Sequence, residues 1–150
     1  MTLTLVDLDQ TTRDEMVGEV DDDAASGRLF LSDRLSGLGR SAYPALFRDA
    51  VARYDDGWLV VRLSQPGVMN THEQVVRRGR LVSARIPHTA ATTLAEGEFN
   101  RFYLRGLCRR ALAEGGRMIE VYRARPVREP RPQSVALVGH QLAPGNCSST

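Results

Sequence analysis

The stretch "GEFNRFYLRGLCRRALAEGG", residues 97–116, decides how the chain is read. Phe99, Phe102, Tyr103, Gly106, Leu107, Ala111 and Ala113 cover most of a helical wheel, with Leu104 and Cys108 on a further side. Gly115 and Gly116 then supply a stop signal. A helix apolar over most of its circumference is normally buried. Yet Arg101, Arg105 and Arg109 recur every fourth residue and stack on one face, a ladder that Leu112 continues. Like charges at this spacing destabilise an isolated helix by about 0.2–0.5 kcal/mol per pair. The helix itself offers Glu98 to Arg101 and Glu114 to Arg110, and little to Arg105 or Arg109. Their anions must come from elsewhere: acids of the same fold, a neighbouring subunit, or nucleic-acid phosphates. The sequence leaves all three open.

Working outward, "HEQVVRRGRLVSARIP" (72–87) predicts two short strands around an arginine-rich turn at Gly79. Arg77, Arg78 and Arg80 join the ladder as candidate interface or anion-binding residues. "RMIEVYRARPV" alternates with strand period. Tyr43, Leu46, Phe47, Ala50, Val51 and Tyr54 follow helical spacing, with Ser41 as the expected cap and Pro44 in the first turn. "GWLVVRLSQPG" reads equally as a short helix or a strand. Near the front, Thr11 or Thr12 is the expected cap of a short helix, and Asp21–Asp23 reads as a solvated loop or helix end. "GRLFLSDRLSGLGRS" is loop-like, with Leu29, Phe30 and Leu31 as its anchor. The class that follows is α+β: a few helices with a small antiparallel sheet and extended terminal arms. A chain of 150 residues is read as a single domain. Within it, 1–40 is an acidic, partly irregular segment, 41–125 the core, and 126–150 an extended, proline-rich C-terminal arm.

Charge is unevenly placed. Residues 1–56 hold 12 acids and 6 arginines, a net −6, whereas 57–150 hold 6 acids and 14 arginines, a net +8. Such asymmetry predicts docking of an acidic front on a basic back, association between chains, or nucleic-acid binding by the basic half. All 20 basic residues are arginine, with no lysine. A GC-rich coding sequence gives this bias; forked guanidinium groups also suit bidentate contacts with carboxylate or phosphate. The lack of lysine removes the Walker phosphate loop, Schiff-base chemistry and the kinase lysine–glutamate pair.

Other chemistries find little support. His72, His88 and His140 lack ligand spacing, and "THE" (71–73) is not followed by the Cys-x-x-Cys of zinc deaminases. There is no G-x-S-x-G elbow. Asp55, Asp56 and Glu120 would suit a metal-dependent nuclease, but its strand lysine is missing and arginine does not deprotonate. No enzyme activity, cofactor or metal is expected. Cys108 reads as a small buried hydrophobe and Cys147 as an exposed tail residue; a disulfide between them is not expected. The two cysteines suit a reducing compartment. No apolar run reaches the roughly 18 residues of a membrane span, and "MTLTLVDLDQ" is unlike a signal peptide. A soluble, non-exported protein is therefore expected, in a virion or the cytoplasm.

The combination "GEFNRFYLRGLCRRALAEG", then "IEVYRAR", then "PRPQS" and "ALVG" resembles a block in uncharacterised proteins of GC-rich, actinobacterium-type genomes and their phages or prophages. The resemblance covers residues 94–139 and carries no catalytic motif. It implies a virion or assembly component. The function expected is thus a non-enzymatic structural or assembly protein, a minor capsid or head-tail component of a phage-like particle. Its partners would be copies of itself or other subunits, with no membrane. The alternative is a nucleic-acid-binding or processing protein that uses the arginine-rich C-terminal half.

Overall fold

The computed structural model describes residues 3–115, together with the backbone of 119–120 and 141–142. It is α+β, as expected. Helices α1 (Gln10–Ala25), α2 (Gly37–Arg53) and α3 (Asp56–Leu63) precede a hairpin of β1 (His72–Arg77) and β2 (Arg80–Arg85). Helix α4 (Ala90–Ala113) follows, and β3 (Ile119–Glu120) pairs antiparallel with β4 (Gln141–Leu142). The remainder of the expected C-terminal arm, including Cys147, lies outside the described residues.

Local chemistry sets the helix starts. Asp9, Ser36 and Asp55 each turn a side-chain oxygen onto a first-turn amide, those of Thr12, Gly39 and Trp58. Such caps satisfy donors that have no partner within the helix. Two expected caps are thereby corrected: Asp9 opens α1 in place of Thr11 or Thr12, and Ser36 opens α2 in place of Ser41. The glycine-rich "GLGRS" is helical because Leu35 is buried and the Ser36 amide bonds the Val68 carbonyl at 2.9 Å. Pro44 consequently sits inside α2, beyond its first turn. "GWLVVRL" resolves as helix. α4 spans 24 residues and ends where Gly115 turns to φ +100°.

The core lies between the helices. Met16 and Val20 of α1, Tyr43, Phe47 and Val51 of α2, Leu59 and Leu63 of α3, and Phe99, Phe102 and Tyr103 of α4 are all at most 1% exposed. Phe47 stacks on Tyr43 and meets Phe102 edge-on, with centroids 5.5 and 5.0 Å apart. Such contacts favour the offset and T-shaped geometries that aromatic quadrupoles prefer. Leu29 and Leu31 anchor the loop before α2, as expected, but Phe30 is largely exposed. α4 is less enclosed than its wheel suggests, since Leu104 and Leu112 face outward.

α1 and α4 run antiparallel in close contact at Gly106. A Cβ there would stand 2.4 Å from Met16 Cγ and 3.2 Å from both the Met16 nitrogen and the Thr12 carbonyl oxygen. Glycine is what lets the two helices approach. Arg13 of α1 crosses to α2 and donates to the Val51 carbonyl at 2.9 Å, satisfying an end-of-helix acceptor. Leu3 donates its amide to both oxygens of buried Asp56 (3.0 and 3.2 Å), which ties the front of the chain to α3. Burial raises the Asp56 carboxyl above the ordinary range, and the Leu3 bond only partly offsets it.

Candidate nucleic-acid interface

α1 supplies the anions for Arg105 and Arg109. Arg105 grips Asp23 with two bonds of 2.8 and 3.0 Å and reaches Glu19 at 3.4 Å. Its guanidinium also lies 4.4 Å from the Phe102 ring centroid. Arg109 meets Glu15 at 2.9 Å and Asp22 at 3.1 Å, and Arg101 pairs with Glu98 at 2.9 Å. Arg110 bridges Asp9 and Glu114, at 2.9 and 3.0 Å. Hydrogen bonding to Arg105 holds the Asp23 carboxyl below the usual range, against a smaller opposing effect of burial. Of the three sources left open, the first is the one observed: acids of the same fold. Arg101, Arg105 and Arg109, the candidate interface or anion-binding residues of α4, each hold a carboxylate of this chain. Asp21–Asp23 lies at a helix end, one of the two expected settings, close to the C-terminus of α1. The run is helical, Asp23 is buried, and Asp21 pairs with Arg48 of α2 at 2.9 Å.

Cys108 is also corrected in part. It is 5% exposed, as expected, but it is disulfide-bonded and carries no free thiol.

The second candidate cluster has the opposite character. β1 and β2 pair in register from His72↔Arg85 to Arg77↔Arg80 around the two-residue turn Arg78-Gly79. Both turn residues have positive φ, +52° and +76°, as a type I′ hairpin turn requires. Glycine adopts this readily; for arginine it is an uncommon conformation. Opposed residues share a face, so the hairpin has two. Glu73, Val75, Val82 and Ala84 form a half-buried inner face, and Arg77 and Arg80 extend it past the point of cover. His72, Gln74, Val76, Leu81, Ser83 and Arg85 form an outer face that is exposed throughout. No residue of either strand is buried.

The hairpin is held at its base. Arg34 clamps Glu73 with bonds of 2.8 and 2.9 Å, which raises the guanidinium and lowers the carboxyl from their ordinary values. Asn70 donates its amide to the Arg34 carbonyl at 2.7 Å, and Ile86 donates to Thr71 at 2.9 Å. Ile86 is itself buried. A body-anchored ribbon of six-residue strands results, about 20 Å long at 3.3–3.4 Å per residue. Its one acid, Glu73, is neutralised by Arg34. Arg77, Arg78 and Arg80 at the tip are exposed and form no ion pair with any described residue.

A 270 Å³ cleft between the 30–34 loop and α4 is lined by Phe30, Ser32, Arg34, Thr93, Leu94 and Glu98 among others. Its charged members are committed, Arg34 to Glu73 and Glu98 to Arg101. Among the described residues no cluster of His, Cys, Asp or Glu is placed to hold a metal ion, and no helix is long and apolar enough to cross a membrane. The turn arginines were legible in sequence. The outer face and the Arg34–Glu73 clamp were not singled out. Alternation along the paired strands carries a signal for the face, whereas the clamp joins residues 39 apart with no motif between them. Comparison with protein-family models, curated proteins and solved structures finds no match.

Proposed function

We propose that this protein binds nucleic acid through the arginine-tipped hairpin. The observation that carries the reading is the contrast between its two basic clusters. Carboxylates of α1 and α4 neutralise one, while the other stands exposed without an anion among the described residues. The tip is also arranged against its own stability. Arg77 and Arg80 are directly opposed, a like-charge pairing that disfavours the sheet, and Arg78 occupies a left-handed conformation. Sites where local preference is violated in this way are where function is expected. Phosphates would relieve the repulsion by forming charge-assisted, bidentate bonds to the guanidinium forks.

A second reading is the structural or assembly subunit, including a component of a phage-like particle. Val76 and Leu81 favour it: they oppose each other beside the tip and are 69% and 72% exposed. A two-stranded ribbon is marginally stable alone, and a neighbouring subunit would cover this pair.

Salt-dependent affinity separates the readings. Each phosphate neutralised on B-DNA contributes about −0.9 to the slope of log K against log salt. Fluorescence anisotropy with a labelled duplex should show this dependence for the native chain. R77Q/R78N/R80Q should flatten the slope by about 2.7. A native chain without affinity at about 50 mM salt, or a variant with an unchanged slope, would overturn the proposal. A defined oligomer lost on replacing Val76 and Leu81 by serine would then support the assembly reading.

A further inference from the structure

Resting on the reading above, we infer that the partner is double-stranded DNA, and that the outer face of the hairpin reads base edges in the major groove. The ribbon carries no aromatic side chain beyond the His72 imidazole. Single strands are held largely by stacking bases on aromatic rings, so this surface lacks their platform. A-form RNA is disfavoured as well, because its deep, narrow major groove excludes side chains. The major groove of B-DNA, about 12 Å wide, admits a two-stranded ribbon.

The outer face has the required chemistry in a regular array. From base to tip its pairs are His72↔Arg85, Gln74↔Ser83 and Val76↔Leu81. Arginine makes bidentate bonds to guanine O6 and N7, glutamine to adenine N6 and N7, and serine pairs with either. Val76 and Leu81 are placed to meet thymine methyl groups, which gives the exposed apolar pair a role within the same complex. Successive outer-face pairs lie two residues apart, about 6.7 Å. That is close to two base-pair steps of about 3.4 Å, so three pairs span about five base pairs. Arg77 and Arg80 project from the opposite face and Arg78 from the turn, so their guanidinium groups are placed for the phosphates that line the groove and not for base edges. Phosphate contacts fix position and base contacts specify sequence, and here the two sets occupy different residues.

The test is selection of the full chain, at about 150 mM salt, on a pool of duplexes with a randomised centre. Gln74→Ala and Arg85→Ala are run alongside R77Q/R78N/R80Q. The native chain should enrich a motif of about five base pairs. Gln74→Ala should lose the preference at one position and bind the selected site about tenfold more weakly, while keeping its affinity for unrelated duplex. R77Q/R78N/R80Q should weaken binding to all duplexes alike. An unenriched pool with steep salt dependence intact overturns base reading and leaves nucleic-acid binding standing. Preference for single strands or duplex RNA likewise overturns the inference alone. Absence of binding to any nucleic acid overturns both.

Discussion

Replacing Arg105 with alanine tests how the ladder is satisfied. In the native fold Arg105 and Asp23 share two bonds, with side chains only 18% and 7% exposed. The variant strands the Asp23 carboxylate inside the α1–α4 contact. Removing one partner of a buried ion pair costs about 3–5 kcal/mol. The residual exposure of Arg105 places the loss near the lower end, about 3 kcal/mol. At this size each kcal/mol moves the thermal midpoint by about 2–4 °C, so a fall of about 6–12 °C is expected. Arg109 is 42% exposed, so Arg109→Ala belongs with surface pairs at about 0–1 kcal/mol. Urea melts of Arg105→Ala, Asp23→Ala and R105A/D23A complete a double-mutant cycle, with Arg109→Ala melted beside them. The double variant should lose less than the two single losses combined, because it removes the stranded charge. The pH dependence has a fixed sign. Asp23 is held low by Arg105, so its stabilisation is present above the unfolded carboxyl value, about 3.9, and is lost as pH falls through the lower folded value. The gap between native and Arg105→Ala should therefore close under acid. Equal costs for Arg105→Ala and Arg109→Ala, or a gap indifferent to pH, would refute this account of the ladder.

Gly106→Ala should lower the denaturation midpoint. Its methyl would meet Met16 and the α1 backbone, and overpacking of about 1–3 kcal/mol exceeds the gain in helix propensity of up to about 1 kcal/mol; an unchanged midpoint would contradict the close approach. Asp56→Asn should be at least as stable as the native chain at pH 7. Burial raises the Asp56 carboxyl, so the penalty is absent below about pH 4 and accrues as pH rises toward the folded value; parallel pH–stability curves would argue against it. Arg78→Asn should stabilise the hairpin by up to about 1 kcal/mol, because asparagine tolerates the left-handed turn that arginine resists. A calorimetric midpoint that falls would contradict that turn geometry.

Helices and hairpin were legible where the signal is local. The α4 periodicity, its glycine stop and the Arg78-Gly79 turn all act over a few residues, and each appears in the fold. Cap positions shifted because the competing signals are tertiary. Ser36 won over Ser41 once buried Leu35 and the Val68 carbonyl fixed the chain ahead of it. The Asp21–Asp23 run illustrates the same limit more sharply. Three consecutive acids read as a solvated loop or helix end, and they do lie at the end of α1, yet α4 places arginines more than 80 residues away against two of them. Charge asymmetry offered docking of the two halves as one of three alternatives; it held no information on which arginine meets which acid. The candidate site divides along the same line. Its turn arginines were visible as a cluster, but the contrast became apparent only when the ladder proved to be neutralised and the tip met no acid among the described residues.

The most direct test of the central claim is a map of where nucleic acid touches the protein. Titrating a short duplex into the isotopically labelled full chain, and following amide and arginine side-chain resonances by NMR, reads this residue by residue. The account predicts shifts centred on Val76–Leu81, spreading along the outer face to Gln74, Ser83 and Arg85. Arg105 and Arg109 should hold their positions against α1, and Arg101 its pairing with Glu98. Shifts confined to the α1–α4 face, or to the arginines between residues 117 and 131 with the hairpin unmoved, would contradict it.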